Sequence, residues 1–178
     1  YLNGSFNDDG VELSYVLPTD MYAEIGGGVF RGDDFPAGGS ASGLGGWSVF
    51  ARTGGDIGDN QSWRIGAYSL QTDVNTRTTN EGMVTFVGEN SLYAADARYT
   101  LAPTGNATQQ ELIAQAAVFY RNEDGTYNDA DAGTGTLGYT ESSLGWHAQA
   151  VYKFARAWRV GVRYSRLHAP DTPAGFAG

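Results

Sequence analysis

The chain reads as all-β: an antiparallel transmembrane β-barrel with about eight strands here, forming part of a larger porin-type barrel. Three observations predict this. Apolar and polar residues alternate with period two in one stretch after another, as in strands whose successive side chains point to opposite faces. Aromatic residues gather at the ends of the apolar faces, with small or branched apolar residues between them, as a strand crossing a bilayer requires. Short and long connections alternate along the chain, the habit of barrels with short periplasmic turns and long outer loops.

Residues 145–166, GWHAQAVYKFARAWRVGVRYSR, carry the pattern most clearly. Trp146, Ala148, Ala150, Tyr152 and Phe154 share one parity; His147, Gln149, Val151 and Lys153 take the other. After a turn at residues 155–157, Trp158, Val160, Val162 and Tyr164 alternate with Arg159, Gly161, Arg163 and Ser165. Trp146 to Phe154 covers roughly 20 Å along a membrane normal, at a rise of about 3.4 Å per residue and a tilt of about 40°. That is close to the apolar band of an outer-membrane barrel.

Taken in order, residues 1–9 are polar and read as loop. Val11, Leu13, Tyr15 and Leu17 begin the first strand, and Pro18, Thr19 and Asp20 turn the chain, with proline fixing φ. Residues 21–31 form the second strand, with Ala23, Ile25, Gly27 and Val29 on one face. A Gly/Ser/Ala-rich loop follows over 32–45. Trp47, Val49 and Ala51 mark the third strand, residues 54–61 a turn, and Trp63, Ile65 and Ala67 the fourth strand. The pattern fades after Leu70 and returns at Ser91. Tyr93, Ala95, Ala97, Tyr99 and Leu101 share a face of the fifth strand, and APTGN (102–106) turns the chain again. Residues 109–121 resemble a helix at QQELIAQAA, but the parity holds into VFYR and predicts a sixth strand. Residues 122–143 read as a polar loop. MVTFV (83–87) has strand propensity, yet a further spanning strand there would break the alternation of connections, so it is placed inside an outer loop. The same count puts both ends of the chain on the outer side. It predicts a single barrel domain over 1–178 that lacks N-terminal strands, any plug and C-terminal strands.

Composition narrows the function. A net charge of −9 argues against nucleic acid as a partner. No apolar run reaches the length of a transmembrane helix, but barrel strands average out as hydrophilic, and a mean hydropathy of −0.35 is compatible with them. With no cysteine there is no thiol chemistry and no disulfide framework. Glycine, at 26 of 178 residues, is about twice its usual share. No nucleophile–base–acid set is legible, so no enzyme activity, cofactor or metal is expected.

Two sets of residues are singled out. The lipid-facing aromatic girdles are Trp47, Tyr93, Tyr120, Trp146 and Tyr164 at the outer level and Tyr15, Trp63, Tyr99, Phe154 and Trp158 at the periplasmic level. The opposite, channel-lining face carries Glu12, Glu24, Arg52, Arg64, Asp96, Arg98, His147, Lys153, Arg159 and Arg163, with Glu111 near its periplasmic rim. Basic groups outnumber acidic ones there. This wall either selects permeating solutes or braces the interior as a cross-strand salt-bridge ladder, and the two roles are compatible. Asp124, Asp129 and Asp131 lie in an acidic loop whose spacing does not match an EF-hand and which reads as solvated. His147 and His168 lack the spacing of a zinc site. Gly26, Gly27 and Gly28 are not followed by a helix, so a phosphate loop fails; close approach of a side chain across the lumen accounts for them better.

The blocks VELSYVLPTDMYAEIGGGVFRGDDFPAGG, GENSLYAADARYTLAPTGN, FYRNEDGTY and WHAQAVYKFARAWRVGVRYSRL are spread over most of the chain. With them the chain resembles a family of Gram-negative outer-membrane barrels labelled zinc-regulated TonB-dependent outer-membrane receptors or porin-like proteins. It has a looser likeness to phosphate-selective porins. The matching blocks specify turns, girdles and lumen positions rather than a reaction. The resemblance implies a bacterial outer-membrane location and contact with outer-membrane lipid and lipopolysaccharide. Small hydrophilic solutes are the expected cargo, and assembly into a homo-oligomer is left open. The function expected is a porin-like channel for passive passage of small hydrophilic solutes or ions. Two alternatives stand beside it: the barrel of a TonB-dependent metal-uptake receptor, with TonB as partner, and a non-pore or soluble β-barrel.

Overall fold

A computed structural model describes residues 8–34, 37–38, 43–133 and 135–168. Most of the loop read over residues 1–9 lies outside them. Eight strands follow one another: β1 Gly10–Val16, β2 Tyr22–Phe30, β3 Gly46–Ile57, β4 Gln61–Thr79, β5 Val84–Leu101, β6 Glu111–Asp129, β7 Gly135–Ala155 and β8 Trp158–His168. They form one antiparallel sheet in which each strand pairs with its sequence neighbours, in the order β1 to β8. Among the described residues β1 and β8 do not pair with each other, so the sheet has two free edges. No helix of the described residues is long and apolar enough to cross a membrane, which says nothing of strands.

The turns form where the backbone allows tight reversal. Residues 17–21 connect β1 to β2, with Leu17 N–H donating to the Ala23 carbonyl (2.8 Å). Residues 58–60 connect β3 to β4, with Gly58 at φ 62°, and residues 156–157 connect β7 to β8. In the β5–β6 connection, Gly105 (φ 72°) donates to the Ala102 carbonyl (2.9 Å). These four connections define one side of the sheet, called the turn side below. The helix-like stretch QQELIAQAA is strand from Glu111 onward, as its parity predicts.

The other side corrects two expectations. Residues 71–90 and 122–143 are not long loops. β4 and β5 continue as a hairpin joined only by residues 80–83, and β6 and β7 stay paired out to Asp129 and Gly135. MVTFV accordingly is not a loop insertion, because Val84–Val87 is the outer part of β5, paired with β4 and β6. It is also not an extra spanning strand, so the count of eight holds. The physical reason is propensity. These stretches are rich in Thr, Val, Tyr and Phe, which suit a pleated backbone even where both faces are polar enough to lose the apolar alternation. The predicted turn over 54–61 also contracts, since β3 runs through Ile57.

One interruption matters. Val74 pairs with Gly88 but Arg77 pairs with Phe86, so two residues of β4 face one of β5. Such a bulge re-aims the side chains beyond it. It brings Arg77 onto the face that Val74 and Phe86 share. A small core forms there from Val74, Val84, Phe86 and Ala37, all buried. The 31–45 connection closes beside it: Asp73 N–H donates to Gly45 (2.9 Å) and Thr76 N–H to Gly38 (3.3 Å), covering the edge of β4 beyond the end of β3.

Candidate functional site

Register decides which residues share a surface, because cross-strand partners point the same way. Glu24 pairs with Arg52, Arg52 with Gly66, Gly66 with Asp96, Asp96 with Ala117, Ala117 with His147, and His147 with Ser165. The next row toward the turn side runs Gly54, Arg64, Arg98, Gln115, Gln149, Arg163. Glu111, Lys153 and Arg159 form a third row. Glu12, opposite Gly28, belongs to the same surface. All ten residues singled out for the polar face, with Glu111, therefore lie on one face of the sheet.

Half of this face is interlocked. Tyr68 donates to Asp96 Oδ1 (2.6 Å), and Arg52 Nε donates to the Tyr68 hydroxyl (3.3 Å). Arg52 also reaches Glu24 (3.4 Å), to which Tyr22 donates, and Arg64 stands 3.5 Å from Asp96. The Arg52 guanidinium lies 4.3 Å above the Phe50 ring, a cation–π contact that flattens it against the sheet. Glycines make this possible. A Cβ on Gly26 would overlap the Phe50 ring, and one on Gly66 would lie 2.5 Å from the Tyr68 hydroxyl. The side chains that approach these glycines come from the neighbouring strand of the same sheet, or from the same strand, which corrects the expectation of an approach across a lumen. This region is a cross-strand ladder. The rows nearer the turn side are different. Gln149 donates to Gln115 (2.5 Å), and Lys153 donates to the Ala107 carbonyl (3.3 Å). The side chains of Arg98 and Arg159 make no hydrogen bond or ion pair among the described residues.

The same face holds a cluster that the sequence pattern does not reveal. Glu123, 3% exposed, sits between Arg77 (2.6 Å) and Arg121 (3.2 Å). Arg77 lies 4.9 Å from the Phe86 ring centroid, and Phe86 meets Tyr139 edge-on with centroids 5.6 Å apart. Burial and then the Glu123 carboxylate raise the Tyr139 phenol above its ordinary value. Asn90 and Thr72 complete the buried polar set, joined at 3.3 Å. Arg121 and Glu123 continue the polar parity of β6 and are readable as a pair. Arg77 is not, because the bulge reverses its parity.

The remaining candidates do not converge. Asp129 Oδ1 accepts the backbone N–H groups of Asp131 and Ala132 (3.0 Å each), while Asp124 accepts from Thr140 across the hairpin (2.8 Å). The three aspartates are thus turn and cross-strand partners. His147 stacks on Phe119 on the polar face, whereas His168 pairs with Leu144 on the opposite one, so the sheet separates the two histidines.

That opposite face is apolar and bare. Leu13 is 76% exposed, Val162 70% and Trp158 68%. Between its aromatics lie alanines, which leave two shallow recesses of about 1010 and 560 Å³. Tyr15, Trp47, Trp63, Tyr93, Tyr99, Tyr120, Trp146, Phe154, Trp158 and Tyr164 are all of this parity. Tyr93 stacks on Tyr120 and Trp146 leans on Tyr164. Their levels are oblique to the hydrogen-bond rows. The register carries Trp47 through Gln71, Ser91 and Asn122 to Ser142 of β7. Tyr164 pairs instead with Ala148, about six residues nearer the turn side, a drop of roughly 20 Å over about 24 Å of sheet width. Tyr15 likewise projects onto Trp146 of β7, yet the lower aromatic of β7 is Phe154, about eight residues further on, roughly 27 Å over 29 Å. Both belts slope the same way, at about 40° to the rows.

No protein-family model matches the chain, and no solved structure matches it. Among curated proteins the chain is similar to an uncharacterized protein of Aquifex aeolicus (strain VF5), at 24% identity over 188 residues that cover 94% of this chain. The chain spans 38% of that relative's length.

Proposed function

We propose that the chain is an eight-stranded arc of an outer-membrane β-barrel, lining a channel for passive passage of small hydrophilic solutes or ions. The observation that carries this reading is the pair of parallel aromatic belts across an exposed apolar face. Strands in membrane barrels tilt by 35–45°, so headgroup-level aromatics must descend across the hydrogen-bond register by that angle. The belts do so at about 40°. A soluble sandwich places its large aromatics in the middle of a core and has no reason to slope them. The charged face opposite is what a water-filled lumen requires, and further strands at the β1 and β8 edges remove the unpaired backbone groups that lipid does not tolerate. The similarity to a longer relative is compatible with such strands. Planar-bilayer recording of the full-length protein tests the proposal. Stepwise conductance increments that scale with electrolyte conductivity are expected. A protein that stays soluble without detergent and leaves the bilayer silent overturns it.

A further inference from the structure

We infer that the recess outside Trp47, between the outer ends of β2 and β3 and the outer parts of β4 and β5, binds a primary ammonium group carried on a short apolar body. The recess lies on the face away from the polar wall. The inference goes beyond the channel reading and stands whether or not the sheet lines a pore. The recess measures about 370 Å³, within the range of small-molecule sites. Val29, Trp47 and Gln71 share one row. Asp73 and Glu89 stand two residues further out on β4 and β5, on the same parity. Val29, Leu44 and Trp47 are all exposed and give the recess an apolar wall. Gln71 is committed to Ser69 and Ser91. The remaining wall is two carboxylates. Asp73 and Glu89 are direct cross-strand partners, and like charges so placed, with Cβ atoms about 5 Å apart, repel. Both are exposed, and neither side chain makes a hydrogen bond or ion pair among the described residues. Arg77 and Arg121, on the polar face, are bound to Glu123 instead. Asp124, next in the row after Glu89, adds to the negative field.

An acidic wall facing an indole wall selects among cations. Carboxylate oxygens only accept, and a primary ammonium has three donors and no acceptor. A half-exposed indole attracts a cation to its face and buries alkyl carbons beside it. A bare divalent ion asks for six or more oxygen ligands, and no group of three metal-ligating side chains is gathered among the described residues. Carboxylates and phosphates are repelled. Because Trp47 stands in the outer aromatic belt, the ammonium arrives from the aqueous phase or on a lipid headgroup, and the chemistry that recognises it is the same.

Titration calorimetry of the full-length protein in an uncharged detergent, at low ionic strength, tests this. Saturable binding of n-butylammonium is expected. Butyltrimethylammonium, which has no N–H donors, binds several-fold more weakly, and butyrate does not bind. Glu89→Gln and Asp73→Asn each weaken butylammonium binding by about tenfold. The thermal midpoint of the amine-free protein holds or rises in both variants, because a repelling pair is removed. A midpoint that falls in both makes the carboxylates structural and overturns the site. Mixed-lipid nanodiscs identify the source of the ammonium. Retention of phosphatidylethanolamine over phosphatidylglycerol, lost in Glu89→Gln, assigns it to a headgroup, and butylammonium binding without that retention assigns it to a soluble amine. Magnesium binding more tightly than butylammonium overturns the site, as does equal butylammonium binding by the unaltered protein and both variants. None of these readouts is a conductance, so the site and the channel fail separately.

Discussion

Arg77 Nη2 stands 2.6 Å from Glu123 Oε1, although their strands, β4 and β6, are not neighbours. The contact spans β5, over the Phe86 ring, and it exists because the bulge after Val74 turns Arg77 onto that face. Glu123→Gln keeps the volume and removes the charge that faces two arginines. Loss of roughly 2–3 kcal/mol is expected, at or below the range for a broken buried pair because both arginine side chains keep some exposure. Urea unfolding in lipid vesicles measures it, and unchanged midpoints would remove the cluster from the account.

Gly88 and Gly125 face each other across β5 and β6. A Cβ on Gly88 would fall on the Asp124 carbonyl, with the Gly125 Cα at 2.7 Å. Gly88→Ala should therefore spread the strands and cost about 1–3 kcal/mol, as overpacking does. Faster hydrogen exchange confined to the outer parts of β5 and β6 is the expected signature.

The two faces should differ in tolerance. Val160→Arg or Ala150→Arg places a cation against lipid and should cost roughly 2–4 kcal/mol, far more than changes on the polar face. A folding assay in bilayers decides this, and equal tolerance on both faces would count against a lipid-facing surface.

Arg159 and Arg163 share the polar face on β8, separated by Gly161. Replacing both with Glu should move the reversal potential of the full-length channel toward cations at low salt. The movement should fade as salt rises, since screening acts over about 10 Å at 0.1 M. No movement would make these arginines bracing residues only.

The 178-residue chain by itself should not form a heat-resistant, gel-shifting monomer in detergent. Among the described residues its β1 and β8 edges are unpaired, and each unsatisfied backbone group in lipid costs several kcal/mol. A compact, heat-modifiable band from this chain alone would show that the two edges close on each other.

Strand number, order of faces and the turn at Pro18 were legible in the sequence because apolar and polar side chains contrast sharply within residues 11–70 and 91–121. The contrast ends where both faces of a strand are polar. That is why Asp73 to Thr79 and Asn122 to Asp129 read as loops although they are paired strands. The charged residues of the candidate site were legible by parity alone. The ladder around Tyr68, from which the Arg98 side chain is left out, was not, since it depends on which strands are register partners. Arg77 was hidden for a different reason: a bulge adds one residue and inverts the parity beyond it.

The strands also differ in height. β1 has 7 residues and β8 has 11, whereas β7 between β6 and β8 has 21. Beyond the point where His168 pairs with Leu144, β7 continues among the described residues with β6 alone, to Gly135. β4 and β5 reach the same row, since Thr79 pairs with Val84, Val84 with Asp129 and Asp129 with Gly135, so the described strands stand tallest from β4 to β7 and fall away on both flanks. In the proposed channel, a flat, rigid body lowered onto this rim would meet the ends of the β4–β5 and β6–β7 hairpins before the lower flanks. Size discrimination at the rim of that proposed channel would then begin with silhouette, before charge.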